Sequence, residues 1–241
     1  MHTALISADH NQGIDREESD LSIRLGDIAP NFTAETTQGS INFHDWISDG
    51  WAIFMSHPAD FTPVCTTELG YVASIRSKFD HRQVKVISLS VDTLESHDRW
   101  ARDIEDTHGF PLNFPLIADP DAEIAQLYGM VHPESDNMLT IRTVFIIGPD
   151  KRVKATQTYP VNTGRNFDEI LRLIDSLQLT EDFDVATPVN WRPNDDVLIS
   201  PALSDASARQ KFPDGWTLVK PYIRVVQQPV TEAREKDVTV T

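Results

Sequence analysis

Strand-like runs alternate with amphipathic stretches along most of the chain, from Leu25 to Leu179. The strand-like runs, rich in apolar and β-branched residues, fall at residues 51–55, 84–91, 143–147 and 153–158. Apolar positions at helical spacing predict helices over residues 96–107, 121–128 and 166–179, and another from residue 63 to about residue 79 with Arg76 as a polar exception. This alternation predicts an α/β fold in which helices cover a central sheet.

The pattern changes after Leu179, where prolines interrupt the chain at positions 188, 193, 201, 213, 221 and 229. Only short strand signals remain, at residues 197–199 and 222–226. A segment this small can bury little core alone, so we expect it to pack on the α/β domain or on a partner subunit. The predicted organisation is a flexible extension (residues 1–20), an α/β domain (21–180), a small C-terminal domain (181–229) and a disordered tail (230–241).

The chain has a single cysteine, Cys65, so no disulfide can form within one subunit. Thr62 is a favourable N-cap and Pro63 a favourable first helical residue, which places Cys65 in the first turn of a helix. Unpaired backbone N–H groups and the helix dipole favour a thiolate at such a position. The alternative is that Cys65 is a small buried apolar residue, as many lone cysteines are.

Several segments of the chain resemble peroxiredoxins, whose pattern Pro-x-x-x-Thr/Ser-x-x-Cys is matched by Pro58, Thr62 and Cys65. The wider run at residues 56–70 is similar to the 1-Cys subgroup in particular. The resemblance continues through residues 142–151, 159–171 and 186–191, and it covers roughly residues 22 to 228 in order. It implies a thioredoxin-like fold for the α/β domain and a dimerisation role for the C-terminal domain.

The resemblance also implies an activity, the reduction of hydrogen peroxide and alkyl hydroperoxides in antioxidant defence. Cys65 would attack the peroxide and become a sulfenic acid. Thr62 would hydrogen-bond the thiolate and the peroxide, Pro58 would shield the thiolate from water, and Arg142 would hold the thiolate and polarise the peroxide. Taken without the resemblance, Thr62 could only cap the helix, Pro58 could only shape a turn, and Arg142 could be a solvated strand-end residue.

Three further residues are candidates for supporting roles. Glu68 shares a helix face with Cys65 and could pair with an arginine or simply favour the helix N-terminus. Arg165 precedes a predicted helix and could reach the site or be a surface charge. His57 lies beside Pro58, and it could sit near the sulfur, as the matching residue does in the resembled subgroup, or be a satisfied strand-end histidine.

Because no second thiol is present, a sulfenic acid at Cys65 would need an external reductant, either a thiol or a small molecule such as ascorbate. We expect no cofactor and no metal, since the eight histidines are scattered without a paired ligand spacing and are expected to be solvated. The resemblance implies a homodimer, possibly part of a higher homo-oligomer.

The charge pattern limits the partners that we expect. Lysine and arginine number 21 against 37 acidic residues, a formal charge of −16, which argues against nucleic acid and anionic membrane surfaces. There is no apolar run near 18 residues and no apolar signal core at the N-terminus. A lone cysteine suits a reducing compartment, so we expect a cytoplasmic protein.

Two other functions deserve comparison with peroxide reduction. Some animal 1-Cys relatives carry a phospholipase site, and His44 and Asp150 match its histidine and aspartate, but Gly50 stands at the serine position. A chaperone or redox-signalling role, in which oxidised Cys65 changes assembly, could coexist with peroxidase activity.

Overall fold

The computed structural model describes residues 23–131 and 138–229. The predicted flexible extension at residues 1–20 and the predicted disordered tail at residues 230–241 lie outside the described residues.

A seven-stranded mixed sheet forms the centre of the larger part of the molecule. Its strands are β1 (Thr33–Thr36), β2 (Gly39–Asn42), β3 (Trp51–Ser56), β4 (Val84–Ser90), β5 (Leu116–Ala118), β6 (Arg142–Ile147) and β7 (Val153–Tyr159). They lie in the order β2-β1-β5-β4-β3-β6-β7. Strand β4 pairs in parallel with β3 and β5, and the remaining neighbours are antiparallel.

Helices cover both faces of this sheet, as the apolar pattern predicted. They are α1 (Phe43–Ile47), α2 (Pro63–Ser74), α3 (Arg76–His81), α4 (Leu94–His108), α5 (Glu123–Leu127) and α6 (Phe167–Asp182). Successive residues of a strand point to opposite faces. In β3, Ile53 and Met55 accordingly join the core under α2, α4 and α6, whereas Ala52 and Phe54 join the core under α1 and α5.

The expectation of a single helix from residue 63 to about residue 79 is wrong. Helix α2 ends at Ser74, and Ile75, with φ −103° and ψ 20°, separates it from α3. After this break Phe79 is fully buried, while Arg76 lies at the surface and bonds Asp80 and the Asn113 carbonyl. Arg76, the exception in the apolar pattern, therefore marks the beginning of a new helix.

A second, four-stranded sheet lies in the C-terminal part, in the order β10-β11-β9-β8. Its strands are β8 (Val185–Ala186), β9 (Val197–Ile199), β10 (Thr217–Lys220) and β11 (Ile223–Val226), and they are accompanied by helix α7 (Asp205–Lys211). Trp191 and Phe212 are buried in a small separate core to which Leu179 of α6 contributes. The predicted domain boundary after residue 180 falls in the last turn of α6, which ends at Asp182.

Candidate active site

Cys65 is the third residue of α2 and is completely buried. The helix begins where the sequence indicates, because Thr62 is extended, with φ −106° and ψ 144°, and the ring of Pro63 favours the first helical position. The expected side-chain cap is absent: the Thr62 hydroxyl donates instead to the Ala59 carbonyl, at 2.9 Å. Its oxygen lone pairs therefore remain able to accept a hydrogen bond from another molecule.

Arg142 is the first residue of β6, the strand that pairs with β3, and its side chain reaches the sulfur of Cys65 in α2. Its Nη1 lies 3.3 Å from Cys65 Sγ and 2.8 Å from Glu68 Oε2, and its Nε donates to the Val161 carbonyl at 2.9 Å. The residue is only 2% exposed, which rules out the solvated strand-end alternative. Three fixed contacts hold the guanidinium, so its N–H groups keep a defined orientation at the sulfur.

Glu68 joins two buried arginines on the same helix face as Cys65. Its Oε2 accepts from Nη2 of Arg165 at 2.7 Å, and its Oε1 accepts from the Arg165 backbone N–H at 2.7 Å. Arg165 also donates through Nη1 to the Ser56 carbonyl, so it is an internal residue and not a surface charge. Burial opposes ionisation of Glu68, but the charge and hydrogen bonds of Arg165, with the charge of Arg142, outweigh it and lower the pKa of Glu68.

The buried charges of this cluster do not sum to zero. Arg142 and Arg165 carry two positive charges and Glu68 carries one negative charge, and all three side chains are buried. One positive charge is therefore left over in a region of low dielectric constant. A thiolate at Cys65, within hydrogen-bond distance of Arg142, would neutralise it.

The loop between β3 and α2 leads into the helix turn that carries the thiol. Pro58 is buried, as a shielding role requires, whereas Thr62 is partly exposed. Phe61 has a left-handed backbone with φ 54°, which is unusual for a residue with a large side chain. Its side chain is 49% exposed. The structure thus brings Cys65, Arg142, Glu68 and Arg165 into direct contact, with Pro58 and Thr62 in the adjoining loop.

His57 is fully buried, and its two ring nitrogens bond neighbours other than the sulfur. Nδ1 lies 2.9 Å from the Ser88 hydroxyl and Nε2 lies 3.1 Å from Asp60 Oδ1. Asp60 also bonds His97, a fully buried histidine of α4. The expectation of solvated histidines is therefore wrong for His57 and His97.

Sequence reasoning missed Asp60 and His97 as members of the site. The available signal was the position of His97 on the buried face of α4, three residues before the buried Trp100. One ligand atom from each of His57, Asp60 and His97 lies within 4.8 Å of the other two, close enough to be compared with a metal site. Each of these atoms already takes part in a hydrogen bond, so the contacts account for the cluster without an ion.

The two residues that match a phospholipase site do not form one. His44 Nε2 lies 2.7 Å from the Ala29 carbonyl, and Asp150 accepts hydrogen bonds from Lys154 and from the Arg152 backbone. Gly50, at the position of the serine, has no hydroxyl. This part of the molecule lacks the nucleophile that such chemistry needs.

Comparison with known proteins agrees with this geometry. The AhpC/TSA family profile matches residues 25–156, and the profile for the C-terminal domain of 1-Cys peroxiredoxin matches residues 176–215. A 1-Cys peroxiredoxin from Dictyostelium discoideum is 47% identical over 207 residues, which are 86% of each chain. Peroxiredoxin-6 from Gallus gallus is 50% identical over 218 residues, covering 85% of this chain and 97% of the relative.

Solved structures show the same relationship. A cysteine-to-serine variant of peroxiredoxin 6 from Arenicola marina superposes with a TM-score of 0.82 at 44% identity, covering 87% of this chain and all of the other. A yeast mitochondrial 1-Cys peroxiredoxin, described for its thiol resolving mechanism via glutathione and thioredoxin systems, gives a TM-score of 0.81 at 44% identity, covering 85% of this chain and 99% of the other.

The chain belongs to the peroxiredoxin (AhpC/TSA) family, and its larger part has the thioredoxin-like fold. Within that family it is a 1-Cys peroxiredoxin, a thiol peroxidase with an antioxidant, oxidoreductase activity. The family resemblance and the fold expected from the sequence are thereby confirmed. Across the described residues, no helix has the length and apolar character needed to cross a membrane.

Proposed function

We propose that Cys65 is the peroxidatic nucleophile and that hydrogen peroxide and alkyl hydroperoxides are its substrates. The observation that supports this most directly is the Arg142 guanidinium, 3.3 Å from Cys65 Sγ in the first turn of α2. The thiolate attacks one peroxide oxygen, forming the S–O bond as the O–O bond breaks. The departing oxygen takes the proton of the attacked oxygen's hydroxyl and leaves as water or alcohol; reprotonation of the sulfenate then gives a sulfenic acid.

Arg142, Thr62 and Pro58 act on this step in different ways. Arg142 donates hydrogen bonds to the thiolate and to the peroxide oxygens as negative charge moves from sulfur to oxygen. Thr62 already donates its proton to Ala59, so it accepts a hydrogen bond from the peroxide and orients it. Pro58 limits the access of water to the buried thiol. Glu68 and Arg165 hold Arg142 in place, and His57 supports the loop.

We further propose that the sulfenic acid is resolved by an external thiol. The thiol attacks the sulfur of the sulfenic acid, water leaves, and a mixed disulfide forms; a second thiol then releases Cys65 and carries away a disulfide. The lone cysteine supports this proposal, and so does the description of the yeast relative, whose thiol is resolved via glutathione and thioredoxin systems. Ascorbate is the alternative reductant.

Peroxide consumption in the presence of each reductant tests the proposal. Glutathione with glutaredoxin, or thioredoxin with its reductase, should sustain turnover of hydrogen peroxide and of an alkyl hydroperoxide. The Cys65→Ser variant, which keeps the size of the side chain, should consume neither and should keep the wild-type circular dichroism spectrum. Substantial turnover by the folded variant would contradict the assignment of the nucleophile.

Assembly, domain division and location are also proposals. We infer a homodimer, or a higher homo-oligomer, built with the C-terminal domain, because that domain exposes Leu218, Val219 and Tyr222. The separate cores support a division between a catalytic domain and a dimerisation domain near the end of α6.

The single cysteine and the charge of −16 support a cytoplasmic protein without nucleic acid or membrane partners. Imaging of the tagged full chain tests location; a mitochondrial signal would contradict it.

A further inference from the structure

The ring of His97 is bonded on both sides to groups that can only accept hydrogen bonds. Its Nε2 lies 3.0 Å from the Ile117 carbonyl, and its Nδ1 lies 2.8 Å and 3.0 Å from the two carboxylate oxygens of Asp60. A neutral imidazole carries one N–H, whereas these two contacts need two. The geometry therefore fits an imidazolium that faces an ionised carboxylate inside the protein.

The neighbouring groups leave His97 as the counter-charge of Asp60. His57 also faces Asp60, but its other nitrogen faces the Ser88 hydroxyl, which can donate, so His57 needs only one proton. Asp92 accepts hydrogen bonds from the backbone N–H of Asp60, at 2.9 Å, and from the Ser90 hydroxyl. Its carboxylate therefore adds negative charge near Asp60. The positive charge of Arg165 disfavours protonation of His57.

The titration tendencies of the cluster follow this arrangement. Burial disfavours the ionised form of Asp60, but hydrogen bonds from His57 and His97 outweigh it and lower the pKa of Asp60. Burial also disfavours charged His97, but the hydrogen bond and charge of Asp60 outweigh it and raise the pKa of His97. For His57 burial dominates, and its pKa is lowered.

Helix α4 braces the active site at two points. His97 holds Asp60, which lies between Pro58 and Thr62 in the loop of residues 57–62, here called the peroxidatic loop. One turn further along α4, the Trp100 indole donates to the Thr66 hydroxyl at 3.1 Å. The Thr66 hydroxyl in turn donates to the Thr62 carbonyl at 2.8 Å.

The backbone of the peroxidatic loop needs such support. Phe61 adopts φ 54°, and a large side chain in this region carries strain that persists only where the surroundings enforce it. Its preceding residue, Asp60, is the one fixed by His97, and its following residue, Thr62, is the one fixed through Thr66. The contacts of α4 thus secure both ends of the strained residue.

We propose that His97 is a positioning residue for the peroxidase reaction: as an imidazolium it clamps Asp60 and so keeps the peroxidatic loop in the arrangement that holds Thr62 at the start of α2 and Cys65 against Arg142. His97 touches neither the peroxide nor the sulfur. Its charge is needed because a neutral ring can serve only one of its two acceptors and leaves the buried carboxylate without its counter-charge. Only the kinetic test of this proposal rests on the assignment of Cys65 as nucleophile, because that test measures the oxidation of the reduced protein.

The proposal predicts an alkaline decline in peroxide attack. As the pH rises from about 5 to 10, the rate should first increase with thiol ionisation and then fall as His97 loses its proton. Stopped-flow oxidation of the reduced protein, followed by tryptophan fluorescence, measures this profile. The Asp60→Asn variant should react roughly 10- to 100-fold more slowly at its maximum and should lack the alkaline decline.

The His44→Gln variant is the matched control, because His44 also bonds a backbone carbonyl but faces no carboxylate there. It should keep the wild-type profile. A residue with a merely structural role would change stability and leave the alkaline decline in place. An alkaline decline that persists unchanged in Asp60→Asn, or that disappears in His44→Gln, would overturn the proposal.

Histidine titration by NMR of the wild-type protein tests the charge without relying on a variant's folding or on peroxidase activity. The His97 Cε1–H resonance should report an imidazolium at pH 7.5, where an ordinary exposed histidine is mostly neutral. Its assignment follows, in isotope-labelled wild-type protein, from nuclear Overhauser contacts of the His97 ring with its neighbours Ile117 and His57. A neutral His97 at that pH would overturn the proposal even if Cys65 proved to be the nucleophile.

Discussion

At the scale of the residue, the proposed reactivity of Cys65 depends on the groups that its neighbours hold in place. The sulfur is fully buried, yet it lies 3.3 Å from a guanidinium whose other contacts are fixed by Glu68 and the Val161 carbonyl. A thiolate in this position is paired and hydrogen-bonded, which offsets the cost of burying its charge. The same guanidinium can follow the charge onto a peroxide oxygen, so stabilisation of the thiolate and of the transition state come from one side chain.

Replacing Arg142 separates these two effects. Arg142→Ala should lower the thiolate fraction and should also slow peroxide attack per thiolate, by roughly 10²-fold or more, because the N–H donors for the departing oxygen are lost. Thiolate absorbance and stopped-flow oxidation measure the two quantities on the same sample. Arg142→Lys is the control that keeps the charge but not the planar set of donors. Relative to Arg142→Ala, it should restore the thiolate fraction more fully than the rate of peroxide attack per thiolate. If the lower thiolate fraction accounted for the whole loss of peroxide-attack rate, Arg142 would have only an electrostatic role.

Glu68 should contribute to stability as well as to activity. Glu68→Gln leaves two buried arginines without their shared carboxylate, so we expect the free energy of unfolding to fall by about 3–5 kcal/mol. Because the pKa of Glu68 is lowered in the folded protein, its contribution is present above the ordinary glutamate pKa of about 4.3 and is lost as the pH falls through the lowered value. Denaturant unfolding at pH 7 and near pH 3 should show a smaller difference between variant and wild type at the lower pH. An equal loss at both values would contradict the charge argument.

At the scale of the element, α2 was the part of the site most open to prediction. Thr62, Pro63 and Cys65 are consecutive or nearly so, and local backbone preferences alone place the helix start. Arg142 and Arg165 meet Cys65 and Glu68 across 77 and 97 positions of sequence, so only the resemblance could suggest their approach. The break at Ile75 and the partnership of His97 with Asp60 depend on packing between helices, which apolar periodicity does not report.

The same dependence on packing explains Gly70. A Cβ added at Gly70 would lie 2.3 Å from Cγ of His108, at the end of α4, so α2 and α4 approach closely only because this position has no side chain. Gly70→Ala should lower the free energy of unfolding by about 1–3 kcal/mol through overpacking, despite the better helix propensity of alanine. Urea unfolding measures this. The double variant Gly70→Ala with His108→Ala removes the clash, so its free energy of unfolding should be higher than the sum of the two single effects predicts. Strict additivity of the two effects would contradict the explanation.

At the scale of the whole molecule, the chain combines a larger part, with a core on each face of its sheet, and a C-terminal part with a smaller core. The sequence indicated the first well, because long periodic segments define its strands and helices. It underestimated the second: Trp191, Val197 and Ile199 form a core with Leu179 although prolines interrupt the surrounding segments. The interruptions shorten the strands there without preventing their pairing.

The exposed apolar residues of β10 and its turn lead to a prediction about assembly. We expect the wild-type protein to sediment as a dimer or a larger species, and Leu218→Glu, which places a charge at a position that is 60% exposed, to shift it toward monomer. Leu127→Glu is the matched control on α5, where the side chain is 45% exposed, and it should leave assembly unchanged. Sedimentation velocity distinguishes the cases. A monomeric wild type, or a Leu218→Glu dimer as stable as the wild type, would contradict the proposed role of this surface.

The most direct test of the central claim is the mass of the protein seconds after peroxide is added. Reduced protein is mixed with one equivalent of hydrogen peroxide and weighed intact by mass spectrometry, beside Cys65→Ser. The account predicts a rapid gain of one oxygen atom in the wild type and none in the variant. No gain, or a gain as slow as that of a free thiol, would contradict the claim that Arg142 and the first turn of α2 assemble a peroxide-reactive thiolate at Cys65.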